Sequence, residues 1–282
     1  MRYLLHPDRF LARLGAFILV RAAQCALSRG EYPRAERLFG LALRLAERVL
    51  GPTDVVVGAV LNDLGIVHKY QGRFDEAERV YRRAHAIFLA ARGEVSLELA
   101  ALYHNRGGLE HARGRDGRGE PFARRGLEIR EQALGPAHPT VAADAAALAA
   151  ILDGQGKRDE AEELFRRALT VFERIYGGEH YEVAVTLNNL GALCQAKGET
   201  EEAERLYRRA LAIKEKRLGG SHPEVATTLN NLAVLCRSQA RHAEAQRLYH
   251  RAMVIFHGAL GPSHPSTQAC GENYEALAGR PQ

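Results

Sequence analysis

The sequence predicts an all-α solenoid of about six antiparallel helix pairs, and three observations carry that prediction. First, the stretch Ala184 to Ala210 returns in phase every 42 residues, so Gly191 has counterparts at Ala23, Gly65, Gly107, Ala149 and Ala233. Second, Leu187, Leu190, Gly191 and Cys194 stand at i, i+3, i+4 and i+7, the apolar stripe of one helix, here termed A. Third, after a turn at Lys197, Gly198 and Glu199, the residues Ala203, Leu206, Tyr207, Ala210, Leu211 and Ile213 form the stripe of a second helix, B. Neither helix can bury its stripe alone, so pairs stack on pairs and the array replaces a central core.

In order along the chain, residues 1–13 read as an arm or short helix capping the first pair. Repeat one (14–51) has Gly30 at its turn and Ala35, Phe39 and Ala42 on helix B, and departs from the pattern at Ala22. Repeat two (52–93) is regular, with Gly72 at the turn and Ala77, Tyr81 and Ala84 beyond it. Repeat three (94–135) reads as degenerate. Arg106 and Glu110 replace apolar residues, Gly119 and Gly126 replace the helix-B alanines, and Ala123 replaces the tyrosine. Each helical glycine costs about 1 kcal/mol against alanine. A hinge, or a basic surface at the turn from Arg113 to Gly119, are the competing readings of this repeat. Repeat four (136–177) keeps Leu148, Ala149, Leu152, Ala161, Phe165 and Ala168 but has an alanine-rich helix A. Repeats five (178–219) and six (220–261) are the most regular copies. Residues 262–282 supply a capping helix with polar Glu272 and Asn273 and a frayed tail from Ala278.

The spacing Leu187, Leu190, Gly191, Cys194, Ala203, Tyr207 recurs as Leu61, Leu64, Gly65, His68, Ala77, Tyr81 and as Leu229, Leu232, Ala233, Cys236, Ala245, Tyr249. It resembles the tetratricopeptide pattern W-x2-L-G-x2-Y followed by A-x3-F. The 42-residue period, with LNNL, EAERLYRRALAI and a closing LG and HP, resembles the repeats of kinesin light chains. The resemblance covers Leu14 to Leu277. It implies a right-handed α-solenoid whose A helices line a concave surface, and it is a likeness of module: the residues before Leu14 are too few for a kinesin light chain's heptad coiled coil.

Composition bounds the function. Hydrophobic residues make up 46% and charged residues 26%, with 7% aromatic and no tryptophan, which suits soluble helices packed through alanine and leucine. The net charge of +5 permits an acidic partner. Cys25, Cys194, Cys236 and Cys270 show no metal or disulfide spacing, and Cys194 and Cys236 share one core slot, as buried thiols of a reducing compartment do. The apolar run Ala16 to Val20 is too short to span a membrane. A cytoplasmic protein is expected, with shallow membrane contact the weaker alternative. No phosphate loop, nucleophile elbow or zinc helix is present, so no enzyme and no cofactor is expected.

Three periodic features remain. His138, His180, His222 and His264 recur at the repeat spacing, but equivalent points of packed repeats lie about 10 Å apart and metal ligands sit about 2 Å from their ion, so no metal is expected. Pro139, Pro223 and Pro265 mark helix starts there instead, with a capping-box spacing at Ser221 and Glu224. The arginine pairs Arg82/Arg83, Arg166/Arg167 and Arg208/Arg209 follow Glu78, Glu162 and Glu204 by four residues, which predicts helical ion pairs on a solvated face. Asn188 and Asn189 lie off the leucine stripe and recur as Asn230 and Asn231, with Asn62, Asp63, His104 and Asn105 as partial copies and Ala146 and Ala147 in repeat four.

In the kinesin-light-chain resemblance such asparagines hydrogen-bond the backbone of a cargo peptide. An amide that donates and accepts suits a peptide bond of any sequence. Lys69, His111, Gln195 and Arg237, one turn on, would border the same groove and favour an acidic peptide. The bland alternative is that the asparagines link neighbouring A helices. The sequence therefore predicts a scaffold that binds a protein or peptide partner. Nucleic-acid binding, and a regulatory module flexing at repeat three, rank below it.

Overall fold

In the computed structural model, which describes residues 7–278, the predicted pairs within each unit form. Among the described residues there are thirteen α-helices and no strand. The chain divides into two compact units, Met1–Gly156 and Lys157–Gln282, so the division falls inside repeat four. The first holds α1 (Pro7–Ser28), α2 (Tyr32–Leu50), α3 (Val55–Tyr70), α4 (Phe74–Arg92), α5 (Leu97–Ala112), α6 (Asp116–Leu134) and α7 (Pro139–Gly154). The second holds α8 (Arg158–Tyr176), α9 (Tyr181–Lys197), α10 (Thr200–Leu218), α11 (Pro223–Ser238), α12 (His242–Leu260) and α13 (Pro265–Ala278). Odd-numbered helices are A helices and even-numbered ones B helices. Residues 7–13 belong to α1, while the rest of the expected arm, 1–6, and the tail 279–282 lie outside the described residues.

Burial separates the two helix types. α9 buries Val183, Ala184, Thr186, Leu187, Asn188, Leu190, Gly191, Leu193 and Cys194, because it packs between its own B helix and its neighbours. α8 buries only the stripe Ala161, Phe165, Ala168, Val171 and Phe172. In repeats two and five the contact inside the pair is a ring against a glycine, Tyr81 on Gly65 and Tyr207 on Gly191, with both rings at most 1% exposed. A Cβ on Gly65 would lie 2.1 Å from the Tyr81 ring, so only glycine admits that tyrosine.

Both turns of the repeat use glycine at positive φ. Gly30, Gly72, Gly114, Gly156 and Gly198 end the A helices, and Gly51, Gly93, Gly135, Gly177, Gly219 and Gly261 end the B helices. At the A-helix end the following N–H closes a six-residue ring, as Glu199 N–H does on Cys194 O at 2.9 Å. Ala240, at φ 59°, stands in the same turn and is the one described non-glycine residue at positive φ. Left-handed backbone strains an L residue, so Ala240→Gly is expected to stabilise the second unit by about 1 kcal/mol, read as a raised urea midpoint at constant slope.

The periodic histidines are helix caps. The N–H groups of Thr140, Glu182, Glu224 and Ser266 donate to Nδ1 of His138, His180, His222 and His264 at 3.1–3.3 Å. Asp54 and Ser96 hold the same slot in repeats two and three. The cap of α11 is thus His222, and not the Ser221 that the capping-box spacing suggests.

A cap that accepts at Nδ1 must be neutral. Burial, reinforced by Lys214 and opposed by Glu224, pushes the His222 pKa down. Burial likewise lowers His68, with Arg73 adding to it, and His85, with Arg106 adding to it. A histidine depressed in the folded state binds its proton more readily when unfolded. Stability from these three groups is therefore complete above pH 6.5 and is lost as pH falls through 6.5 toward their folded values. The unfolding temperature is expected to fall between pH 7 and pH 5.5, and His222→Asn, a cap that does not titrate, should flatten that slope.

Repeat three is full length, and its departures from the pattern offset one another. Bulk has moved from helix B to helix A: Ala123 replaces the ring, while Tyr103 occupies the slot of Leu61, Leu187 and Leu229. Tyr103 stacks on Phe122 at 6.2 Å, and the Arg106 guanidinium lies 4.0 Å over the Phe122 ring. A Cβ on Gly119 would lie 2.9 Å from Gly107 O, and one on Gly126 would lie 3.0 Å from Ala100 O. The helical glycines thus allow α5 and α6 a closer approach than alanine permits. Glu110 is buried beside Arg113, whose side chain is 6% exposed and also reaches Glu78 and Asp75 at 2.8 Å.

One slot between repeats changes character along the chain. Phe88, Phe172 and Phe256 hold it in repeats two, four and six, and Arg130 and Lys214 hold it in repeats three and five. Phe88 joins a cluster with Leu99 and Leu102 of α5. Arg130 meets buried Asp144 of α7 at 2.5 Å, and Lys214, 1% exposed, meets Glu224 of α11 at 2.9 Å.

Candidate functional site

All ten predicted groove residues lie on A helices: Asn62 and Lys69 on α3, His104 and Asn105 on α5, Asn188, Asn189 and Gln195 on α9, and Asn230, Asn231 and Arg237 on α11. They form two sets, one in each unit, and A helices touch A helices within each.

The amides form a ladder with a step of 43 residues. Asn105 Nδ2 donates to Asn62 Oδ1 at 2.9 Å, Asn231 Nδ2 to Asn188 Oδ1 at 3.3 Å, and Asn273 Nδ2 to Asn230 Oδ1 at 3.4 Å. The extra residue beyond 42 arises because the second asparagine of one repeat reaches the first of the repeat before. Asn62 and Asn188 are buried, at 9% and 6% exposure. Asn105, Asn189, Asn230 and Asn231 are half-buried. The inner amides therefore link the A helices, the role that the bland reading assigned to them. Gln24 extends the pattern by donating to Asp63 at 3.1 Å. In place of the amides missing from repeat four, His104 meets Asp144 at 2.7 Å.

The bordering residues divide. Gln195 Oε1 accepts from the Tyr207 hydroxyl at 3.1 Å, and with Asn231, Ala192, Ala196 and Val234 both line an open pocket of about 280 Å³. Arg237 donates to the Asn273 carbonyl of α13 at 3.4 Å, and His111 is engaged by Asp116 at 2.6 Å. The Lys69 ammonium lies 4.9 Å from the Tyr70 ring, against Gly108 of α5, and burial lowers its pKa. It has no carboxylate partner among the described residues. Tyr207 escapes the sequence reading because its ring marks it as core, and only the pair geometry brings its hydroxyl to the pocket edge.

The arginine pairs are neutralised, and they staple successive B helices. Glu78, Glu162 and Glu204 accept from Arg82, Arg166 and Arg208 at 2.7–2.8 Å, as their spacing predicts. Each also accepts from a cation of the next repeat: Arg113, Lys197 and Arg241 at 2.6–2.8 Å. The hydrogen bonds from Arg113 and then Arg82 hold Glu78 down at about 2. The second arginines look back, with Arg83 on Glu47, Arg209 on Glu173 and Arg251 on Glu215 at 2.6–2.7 Å.

Among the described residues no group of three His, Cys, Asp or Glu could hold a metal ion, and no helix is long and apolar enough to cross a membrane. The tetratricopeptide repeat description matches residues 16–90, 98–174, 143–216, 182–256 and 224–281, and the chain belongs to that family. No curated protein matches the sequence. Among solved structures it is similar to BtubC (BKLC) from P. vanneervenii, at 23% identity and a TM-score of 0.59, covering 89% of this chain and 94% of that one. It is similar to a putative kinesin light chain of Podosopora anserina with nearly identical TPR-like repeats, at 22% identity and a TM-score of 0.54, covering 74% and 98%. A Rap protein complexed with competence and sporulation factor matches at 14% identity and a TM-score of 0.66, covering 94% and 75%. At these identities the likeness is one of fold.

Proposed function

We propose that the chain is a non-enzymatic, cytoplasmic scaffold that holds an extended peptide segment of a partner protein against its A helices. The observation that carries this reading is the state of the outer amides. The links to Asn62 and Asn188 fix the side chains of Asn105 and Asn231, which remain half-buried with their Oδ1 atoms unused by the described residues. A carbonyl oxygen held in place accepts a peptide N–H with little loss of side-chain freedom. In the first unit a carboxylate on the peptide would supply the partner that Lys69 lacks, which favours acidic segments. The buried free thiols Cys194, Cys236 and Cys270 suit a reducing compartment. Nucleic acid ranks lower because the arginine pairs already have carboxylates.

The test is capture of partners from host lysate by the wild type and by Asn189→Ala/Asn231→Ala, which spares the buried Asn188. Lysates are compared with and without nuclease, and the unfolding temperature is followed as a control. Loss of protein partners from a folded variant, insensitive to nuclease, is expected. Unchanged partners would place binding elsewhere, and nuclease-sensitive capture would favour nucleic acid.

A further inference from the structure

In every repeat after the first, helix A is covered on its upstream side by the preceding helix B, and the covered positions recur every 42 residues. In the register of Ile18 stand Val60, Leu102, Asp144, Thr186 and Thr228, each at most 2% exposed. Leu102 packs in one cluster with Phe88, and Asp144 pairs with Arg130. In the register of Leu14 stands Glu224, paired with Lys214. In the register of Leu41 stand Arg83, Arg209 and Arg251, each paired with a carboxylate of the B helix before. In repeat one these same positions are bare. Leu14 is 45%, Ile18 57% and Leu41 46% exposed.

Charge marks the same part of the sequence. Residues 1–51 hold nine arginines against four carboxylates, so the chain's whole surplus of +5 lies there. Arg37, Arg44 and Arg48 flank Leu41 on the exposed side of α2 and have no carboxylate partner among the described residues, unlike the arginine pairs further on. The exposed row of α13, by contrast, is polar, with Gln268, Glu272 and Glu275. The first repeat thus presents an apolar, basic face at the positions that a preceding helix B covers in later repeats.

We propose that the α1–α2 face binds an amphipathic helix of a partner protein, whose apolar stripe is flanked by carboxylates and takes the place of a preceding B helix. The apolar stripe meets Leu14, Ile18 and Leu41, as Phe88 meets Leu102. The carboxylates meet the arginines of α2. A second copy of this chain fits less well. Its last described helix, α13, exposes the polar row Gln268, Glu272 and Glu275 and has no apolar stripe to offer this face. This site is independent of the amide ladder, and either can fail alone.

The probe is a synthetic 19-residue helix with a Leu/Phe stripe flanked by glutamates, titrated against the whole chain by fluorescence anisotropy. The same helix with lysine for glutamate serves as control. The acidic helix is expected to bind at least about ten-fold more tightly than the basic one, more weakly as salt rises. Ile18→Asp should weaken it about ten-fold or more, and Arg37→Glu/Arg44→Glu should weaken it with loss of the salt dependence. Unfolding temperatures should stay at the wild-type value because the substituted side chains are exposed. The proposal is overturned if both helices bind alike, or if Ile18→Asp lowers the unfolding temperature, which would show that the chain itself covers this face. Two other results overturn it: a wild-type dimer that Ile18→Asp dissociates, or anionic phosphatidylserine vesicles that bind the chain and displace the helix.

Discussion

Replacing Asp144 by alanine is expected to destabilise the first unit by about 3–5 kcal/mol, because it strands a buried guanidinium without its counter-charge. Asp144 is 2% exposed, with Arg130 at 2.5 Å and His104 at 2.7 Å on the same carboxylate oxygen. The pair itself is a different matter from its rupture. Other repeats fill the slot with a phenylalanine, and Phe88 packs in one cluster with Leu102, so Asp144→Leu/Arg130→Phe rebuilds an arrangement already present one repeat earlier. That double variant is expected to be neutral or stabilising by about 1–4 kcal/mol. Urea unfolding of the three proteins decides the question. If the single and double variants lose equally, then packing volume and not the charge pair holds α6 to α7.

Truncating Tyr81 to alanine should cost a similar amount, about 3–5 kcal/mol, by emptying the space that Gly65 leaves for the ring. The hydroxyl behaves oppositely. Tyr81 Oη is buried with no protein hydrogen-bond partner among the described residues, so Tyr81→Phe is expected to be neutral or slightly stabilising. In repeat five the equivalent Tyr207 donates to Gln195, and Tyr207→Phe should cost about 1 kcal/mol. Two tyrosines at one position of the repeat are thus expected to respond with different signs, measured as shifts in urea midpoint. Equal losses in both would mean that the hydroxyl environments are the same.

How far the sequence could be read follows from the kind of interaction involved. The helices, their pairing, the small residue at Gly65 and the glutamate-to-arginine spacing on the B helices were all legible, because each depends on residues a few positions apart or on an exact repeat of 42. The cap was misread as Ser221, since a histidine accepts a backbone N–H only when burial and its neighbours keep the ring neutral. The glycines of repeat three looked like simple loss of pattern, because nothing local shows that the α5 and α6 backbones close to within alanine's reach.

By itself, then, the sequence determined a helical-repeat protein, its period and the face of each helix that is buried, since hydrophobic periodicity acts within a turn or two of chain. Only the tertiary structure decided which amides link the A helices and which remain half-buried. It also decided where Arg130 and Lys214 find carboxylates and why the first repeat's outer face differs from every later one. Those outcomes depend on what a neighbouring repeat places within about 3 Å, the distance at which hydrogen bonds and desolvated ion pairs form.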